Sequence, residues 1–121
     1  MNKRRFLLTA PLALAGAALA GAARAQQAEP PQVAGTYSVI GRNANGTIYE
    51  GSAELRQEGS DVEIFWNVGG QSYSGRGTIE GRVVTIEWGA DWPIVYVVMG
   101  SQLHGTWDNG AALERLTLRA G

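Results

Sequence analysis

The chain has 121 residues, with ten basic and eleven acidic side chains, one histidine and no cysteine. That composition excludes disulfides, thiolate catalysis, cysteine-based zinc sites and a lipidated N-terminal cysteine. Beyond the basic N-terminal segment six arginines face eleven acids, a balance that disfavours the clustered cations needed to displace counterions from a nucleic acid, so no nucleic-acid partner is expected.

Residues 1–25 read as a signal peptide: a basic start, an apolar Ala/Leu run, and Ala23-Arg24-Ala25 as a small-x-small site with cleavage after Ala25. Pro11, Gly16 and Gly21 interrupt the run. It is therefore too weak for a stable membrane span, which wants about 20 strongly apolar residues. Arg4-Arg5 followed by Phe6, Leu7 and Leu8 resembles the twin-arginine signal. Export by that route or by the general secretory one puts the protein in the periplasm or outside the cell. Losing the segment removes Lys3, Arg4, Arg5 and Arg24, which leaves six arginines against eleven acids, a net charge of −5. Residues 26–34 are mostly polar and carry Pro30-Pro31, so they are expected to form a flexible linker to a domain spanning 35–121.

From Gly35 onward no helical period is visible. Short runs rich in Val, Ile, Tyr, Thr and Trp alternate with turn clusters at the spacing of an all-β fold. Eight strands are predicted, over approximately 35–42, 47–57, 61–68, 71–80, 82–88, 93–99, 102–108 and 111–119. Asn45-Gly46 and Asn109-Gly110 suit hairpin turns that need positive φ. Such short turns join antiparallel neighbours, so the chain is expected to meander up and down.

The alternation gives each strand one dry face. Val62, Ile64, Trp66 and Val68 oppose Glu63 and Asn67; Tyr73, Gly75, Gly77 and Ile79 oppose Ser74, Arg76, Thr78 and Glu80. Eight such strands either stack as a two-sheet sandwich or close into an antiparallel barrel. Closure is the expected solution, because it removes both hydrogen-bonding edges, and eight strands enclose either packed side chains or one small ligand. Tyr49, Trp66, Tyr73, Trp88 and Trp107 share the inward parity with Gly51, Gly75, Gly77 and Gly105. The glycines are expected to make room for rings and to permit the coiling of a small barrel. Glu114 shares parity with Leu116 and Leu118. An inward carboxylate must sit at the rim, at a bulge, or in hydrogen bonds to tyrosine or tryptophan, and it is a candidate to orient a ligand.

Catalytic and metal chemistry is not indicated. His104 falls on the wet face, without cysteine or a spaced carboxylate set, so no metal and no cofactor are expected. No nucleophile elbow, phosphate-cradling glycine motif or two-histidine pattern occurs, and no serine has an identifiable base.

"GTYSV" at 35–39, "NGTIYEG" at 45–51, "GRGTIEG" at 75–81, and "LHGTWDNG" with "ERLTL" at 103–118 together resemble a family of small exported alphaproteobacterial proteins known as fibronectin-binding proteins. The resemblance spans almost the whole chain after the signal segment, and it implies an exported protein with an extracellular protein partner. The "GTW" motif and the glycine-rich hairpins are also similar to avidin-like and lipocalin-like barrels, which implies a carrier architecture.

The expected function is that of a non-enzymatic binding protein. Its partner is a small apolar or aromatic molecule, held by Tyr49, Trp66, Tyr73, Trp88 and Trp107 with Glu114 as orienter. The alternative is a module that binds an extracellular or periplasmic protein, an adhesin or an enzyme inhibitor, through outward Phe65, Val83 and the loop bearing Trp92. A third possibility is a structural protein that oligomerises through outward apolar residues.

Overall fold

The computed structural model describes residues 29–120, so the signal segment, its cleavage site and residues 26–28 lie outside the described residues. The strands are β1 (Gly35–Arg42), β2 (Ile48–Glu58), β3 (Asp61–Val68), β4 (Gln71–Glu80), β5 (Val83–Glu87), β6 (Ile94–Met99), β7 (Gln102–Trp107) and β8 (Ala112–Leu118). Each pairs antiparallel with the next. β1 also pairs with β8, from Tyr37 opposite Leu118 to Arg42 opposite Leu113, which closes the sheet into an eight-stranded barrel. Closure rather than a two-sheet sandwich leaves no free edge among these strands.

The alternation in the sequence becomes an inside and an outside. In β3, Val62, Ile64 and Trp66 are buried while Phe65 and Asn67 are exposed; in β8, Ala112, Glu114 and Leu116 are buried while Leu113 and Arg115 are exposed. Tyr96, Ile64, Ile79, Ile86, Leu103 and Leu116 are among the fully buried side chains. Each buried aliphatic chain contributes about 1.5–3 kcal/mol relative to exposure. The turns take the conformations their residues suggest: φ is 92° at Gly46 and 54° at Asn109. Leu118, although of inward parity, is 42% exposed because it lies at the very end of β8.

The up-and-down path gives the barrel two distinct ends. Connections 59–60, 81–82 and 100–101 lie at one end, together with the segment leading into β1; connections 43–47, 69–70, 88–93 and 108–111 lie at the other. The first end is closed. The Val33 side chain is buried there, its N–H donates to Gln57 Oε1 at 2.7 Å, and its carbonyl accepts from the Tyr37 hydroxyl at 2.8 Å. Gln57 Nε2 also donates to the Pro31 carbonyl at 3.0 Å. Within the stretch 26–34, read from the sequence as a flexible linker, Pro31 to Val33 form a strap across the barrel end. An apolar side chain beside two prolines found a place in the lumen, and Gln57 and Tyr37 satisfy the strap's backbone groups.

Candidate functional site

At the other end the lumen is lined by rings and opens to solvent. The strand register explains how they converge. Across β2, β1, β8, β7 and β6, the inward residues Tyr49, Gly41, Glu114, Gly105 and Tyr96 stand directly opposite one another in a single row. Glu114 thus has a glycine on each side, and beyond each glycine a tyrosine. With no side chain at Gly41 or Gly105, each phenol leans over its glycine toward the carboxylate. A methyl group on Gly41 would collide with the Tyr49 ring, and one on Gly105 with the Tyr96 ring.

Glu114 is 6% exposed, which removes the rim placement from consideration. Its Oε1 accepts from the Tyr49 hydroxyl at 2.7 Å; its Oε2 accepts from the Tyr96 hydroxyl at 2.5 Å and from Trp66 Nε1 at 2.9 Å. Trp107 Nε1 in turn donates to the Tyr49 hydroxyl at 3.0 Å. Among the described residues no arginine or histidine takes part. The carboxylate is solvated by phenol and indole donors alone, and charge-assisted bonds of this kind contribute about 1.5–3 kcal/mol each. Burial, and after it the charge of Glu114 and the hydrogen bond to it, push the Tyr49 and Tyr96 phenols well above the ordinary tyrosine range, so both remain donors.

Above this network the rings meet edge to face. Trp88 contacts Trp66, Tyr73 and Trp107 at centroid distances of 6.5, 6.2 and 5.7 Å, and Trp107 contacts Tyr49 at 6.3 Å. The interplanar angles run from 62° to 87°, the geometry that aromatic quadrupoles favour. They enclose a pocket of about 330 Å³, floored by Glu114 and completed by Ile94, Val68, Asn43 and Gln71. That volume lies at the small end of ligand sites.

All six residues expected to form the site therefore line one pocket. Tyr73 is the most exposed of them, at 40%, standing at the rim with its hydroxyl donating to Gln71 Oε1 at 2.6 Å. The residue that sequence reasoning missed is Tyr96. It shares parity with Ile94 and Val98 and lies opposite an inward glycine, Gly105. The role expected of the glycines is corrected in part. Gly105 yields its space to a ring, as does Gly41, which had not been singled out. At Gly51 and Gly77, by contrast, a Cβ would run into the backbone carbonyls of Asn67 and Thr85 on the neighbouring strands, and at Gly75 into the Ile86 side chain and the Glu87 carbonyl, so these glycines allow neighbouring strands to approach closely.

The residues of the alternative surface do not form one patch. Phe65 lies mid-strand on β3, with the Arg56 guanidinium 4.8 Å above its ring; Val83 begins β5 near the closed end, opposite Val97; Trp92 is in the 88–93 loop at the open end. The Trp92 carbonyl accepts from Trp88 Nε1 at 3.2 Å, which ties that loop to the pocket wall.

No family model and no curated protein matches the sequence. Among solved structures the chain is similar to a redesigned β-barrel, with a TM-score of 0.51 and 16% identity over 73% of this chain and 92% of that one. It also matches a de novo designed fluorescence-activating β-barrel, with a TM-score of 0.46 and 19% identity over 77% of this chain and 95% of that one. The first of these likenesses carries the barrel fold, in agreement with the strand pairing described above.

Proposed function

We propose that the protein is an exported, non-enzymatic carrier that holds a small, partly apolar molecule in the aromatic end of its barrel. The observation that carries this reading is the contrast between a lumen plugged with aliphatic side chains at one end and an open pocket of about 330 Å³ at the other, walled by five rings around a single carboxylate. A dry, sealed void of that size would cost several kcal/mol at roughly 24 cal/mol per Å³. A pocket that opens to solvent avoids the cost by holding water, which a ligand can displace. The described lining contains no histidine, serine, threonine or lysine, and both oxygens of Glu114 accept hydrogen bonds from the wall, which supports a binding rather than a catalytic role. The export part of the proposal rests on the pattern of residues 1–25.

Trp66, Trp88 and Trp107 line the pocket and Trp92 lies in its loop, so all four tryptophans of the chain report on this end. Titration of the mature protein with a panel of aromatics, terpenoids and fatty acids is expected to change the intrinsic tryptophan emission saturably for at least one class. A flat response across the panel overturns the carrier reading. The rival reading, a fibronectin-type adhesin or an enzyme inhibitor acting through its outer surface, draws on the exposure of Trp92 at 50% and Val83 at 41%. Its mechanism cannot be strand addition to a free edge, because β1 and β8 pair with each other. The same titration separates the two, since a surface binder leaves the emission flat toward small molecules.

A further inference from the structure

We infer that the molecule taken by this pocket is a small organic cation, a substituted or quaternary ammonium, whose nitrogen sits against the ring faces with its charge directed at Glu114. The inference rests on the carrier reading and names the chemistry of the ligand.

The first argument is the charge inventory of the site. Its lining has one carboxylate and no arginine, lysine or histidine. All six described arginines, at 42, 56, 76, 82, 115 and 119, are exposed, and so is His104. An acid such as a fatty or aromatic carboxylate would bring a second anion beside Glu114 with no cation to hold it. A neutral apolar molecule would leave the field of the carboxylate unused. A cation uses it, in a place where the low dielectric strengthens the attraction.

The walls give the second argument. Five tyrosine and tryptophan rings line the pocket and meet one another edge to face rather than stacked, and rings around a site attract ammonium groups through their negative faces. The third is capacity. A carboxylate has about four lone-pair sites. Three donors occupy them here, and Oε1 takes only one of these, so a substituted ammonium that keeps an N–H finds an acceptor left, while a quaternary one meets the carboxylate through its charge alone. The fourth is approach. Around the mouth, Asp91 and Asp108 in the connections and Glu87 at the end of β5 outnumber Arg42 at the end of β1, so an incoming cation meets a net attractive field.

The test compares two probes of the same shape, 4-hydroxyphenyltrimethylammonium and 4-tert-butylphenol, by calorimetry and tryptophan emission. The cation is expected to bind at least about tenfold more tightly than its neutral isostere. Glu114→Gln is expected to bring the two affinities close together. Trp88→Leu, which keeps the carboxylate, is expected to lower the cation preference several-fold. The neutral probe controls for structural damage, because a loosened pocket weakens both probes alike. Equal or tighter binding of 4-tert-butylphenol to the wild-type protein overturns the cation inference and leaves the carrier reading standing. Binding of neither probe, alongside a responsive panel of neutral or acidic compounds, does the same. Binding of neither, with a flat panel, removes both.

Discussion

At the closed end of the barrel, Val33, Leu55, Val62, Ile79 and Val98 fill the lumen with aliphatic side chains; toward the open end the inward positions carry Tyr49, Trp66, Trp88, Trp107 and Glu114. The wall is the same in both halves, an antiparallel ladder with the same period. What differs is how the interior is held. The aliphatic half is held by shape, since apart from Tyr37, whose hydroxyl bonds the Val33 carbonyl, its buried side chains have no polar atoms to satisfy and can approach interior density. The aromatic half is held by direction. Tyr49, Tyr96 and Trp66 are aimed at one carboxylate, Trp107 at the Tyr49 hydroxyl and Trp88 at the Trp92 carbonyl, and rings fixed by hydrogen bonds cannot collapse to fill the remaining space. A polar hub therefore keeps a pocket open where an apolar core would have closed it.

The largest effect that would break this comparison comes from removing the hub. Glu114→Ala leaves the Tyr96 hydroxyl and Trp66 Nε1 buried with only each other as partners. It is expected to destabilise by about 3–5 kcal/mol, with loss of the ligand response. Ile64→Ala in the aliphatic core is expected to cost a similar 2–5 kcal/mol while ligand affinity stays within a few-fold of wild type. Urea titration combined with tryptophan emission measures both. Equal loss of binding in the two variants would mean that the halves are not separable.

High pH sharpens the contrast. Burial raises the Tyr37, Tyr49 and Tyr96 phenols above the ordinary tyrosine value, with the charge of Glu114 adding to it at Tyr49 and Tyr96. The folded barrel thus keeps protons that the unfolded chain loses above about pH 10. Stability is full below that value and falls as pH rises through it, by about 1.4 kcal/mol per pH unit for each phenol still protonated in the fold. Denaturation midpoints between pH 8 and 12 check the slope, expected to be shallower in Tyr96→Phe. An alkaline limb identical in that variant would count against the network.

The smallest of the expected effects concerns the strap. Gln57→Ala removes the partners of the Val33 N–H and the Pro31 carbonyl, and is expected to cost about 1–2 kcal/mol. Hydrogen exchange should rise at residues 32–37 while the amides of β3 stay protected. Exchange that rises equally throughout the barrel would show that the strap is part of one cooperative unit rather than a local closure.

Much of this molecule is written in a period of two. Turn clusters and strand-forming runs located the eight strands to within a residue or two, and alternation chose the inward faces and put Tyr49, Trp66, Trp88, Trp107 and Glu114 inside. It could do so because the direction of a strand side chain depends only on its own backbone. Glu114 was visible as an anomaly, a charge among leucines, but its fate was open. Tyr49 lies 65 residues from it and Trp66 lies 48, and no local signal states which residues will be opposite one another across strands.

Those partnerships were decided by closure. Only when β1 sits between β2 and β8 does Gly41 stand between Tyr49 and Glu114, and only when β7 flanks β8 does Gly105 stand between Glu114 and Tyr96. The residue types and the faces they occupy belong to the sequence, through the geometry of single strands. The carboxylate's donors, the gap between the rings and the strap over the far end belong to the tertiary structure, because register and closure bring together residues that lie far apart in the chain.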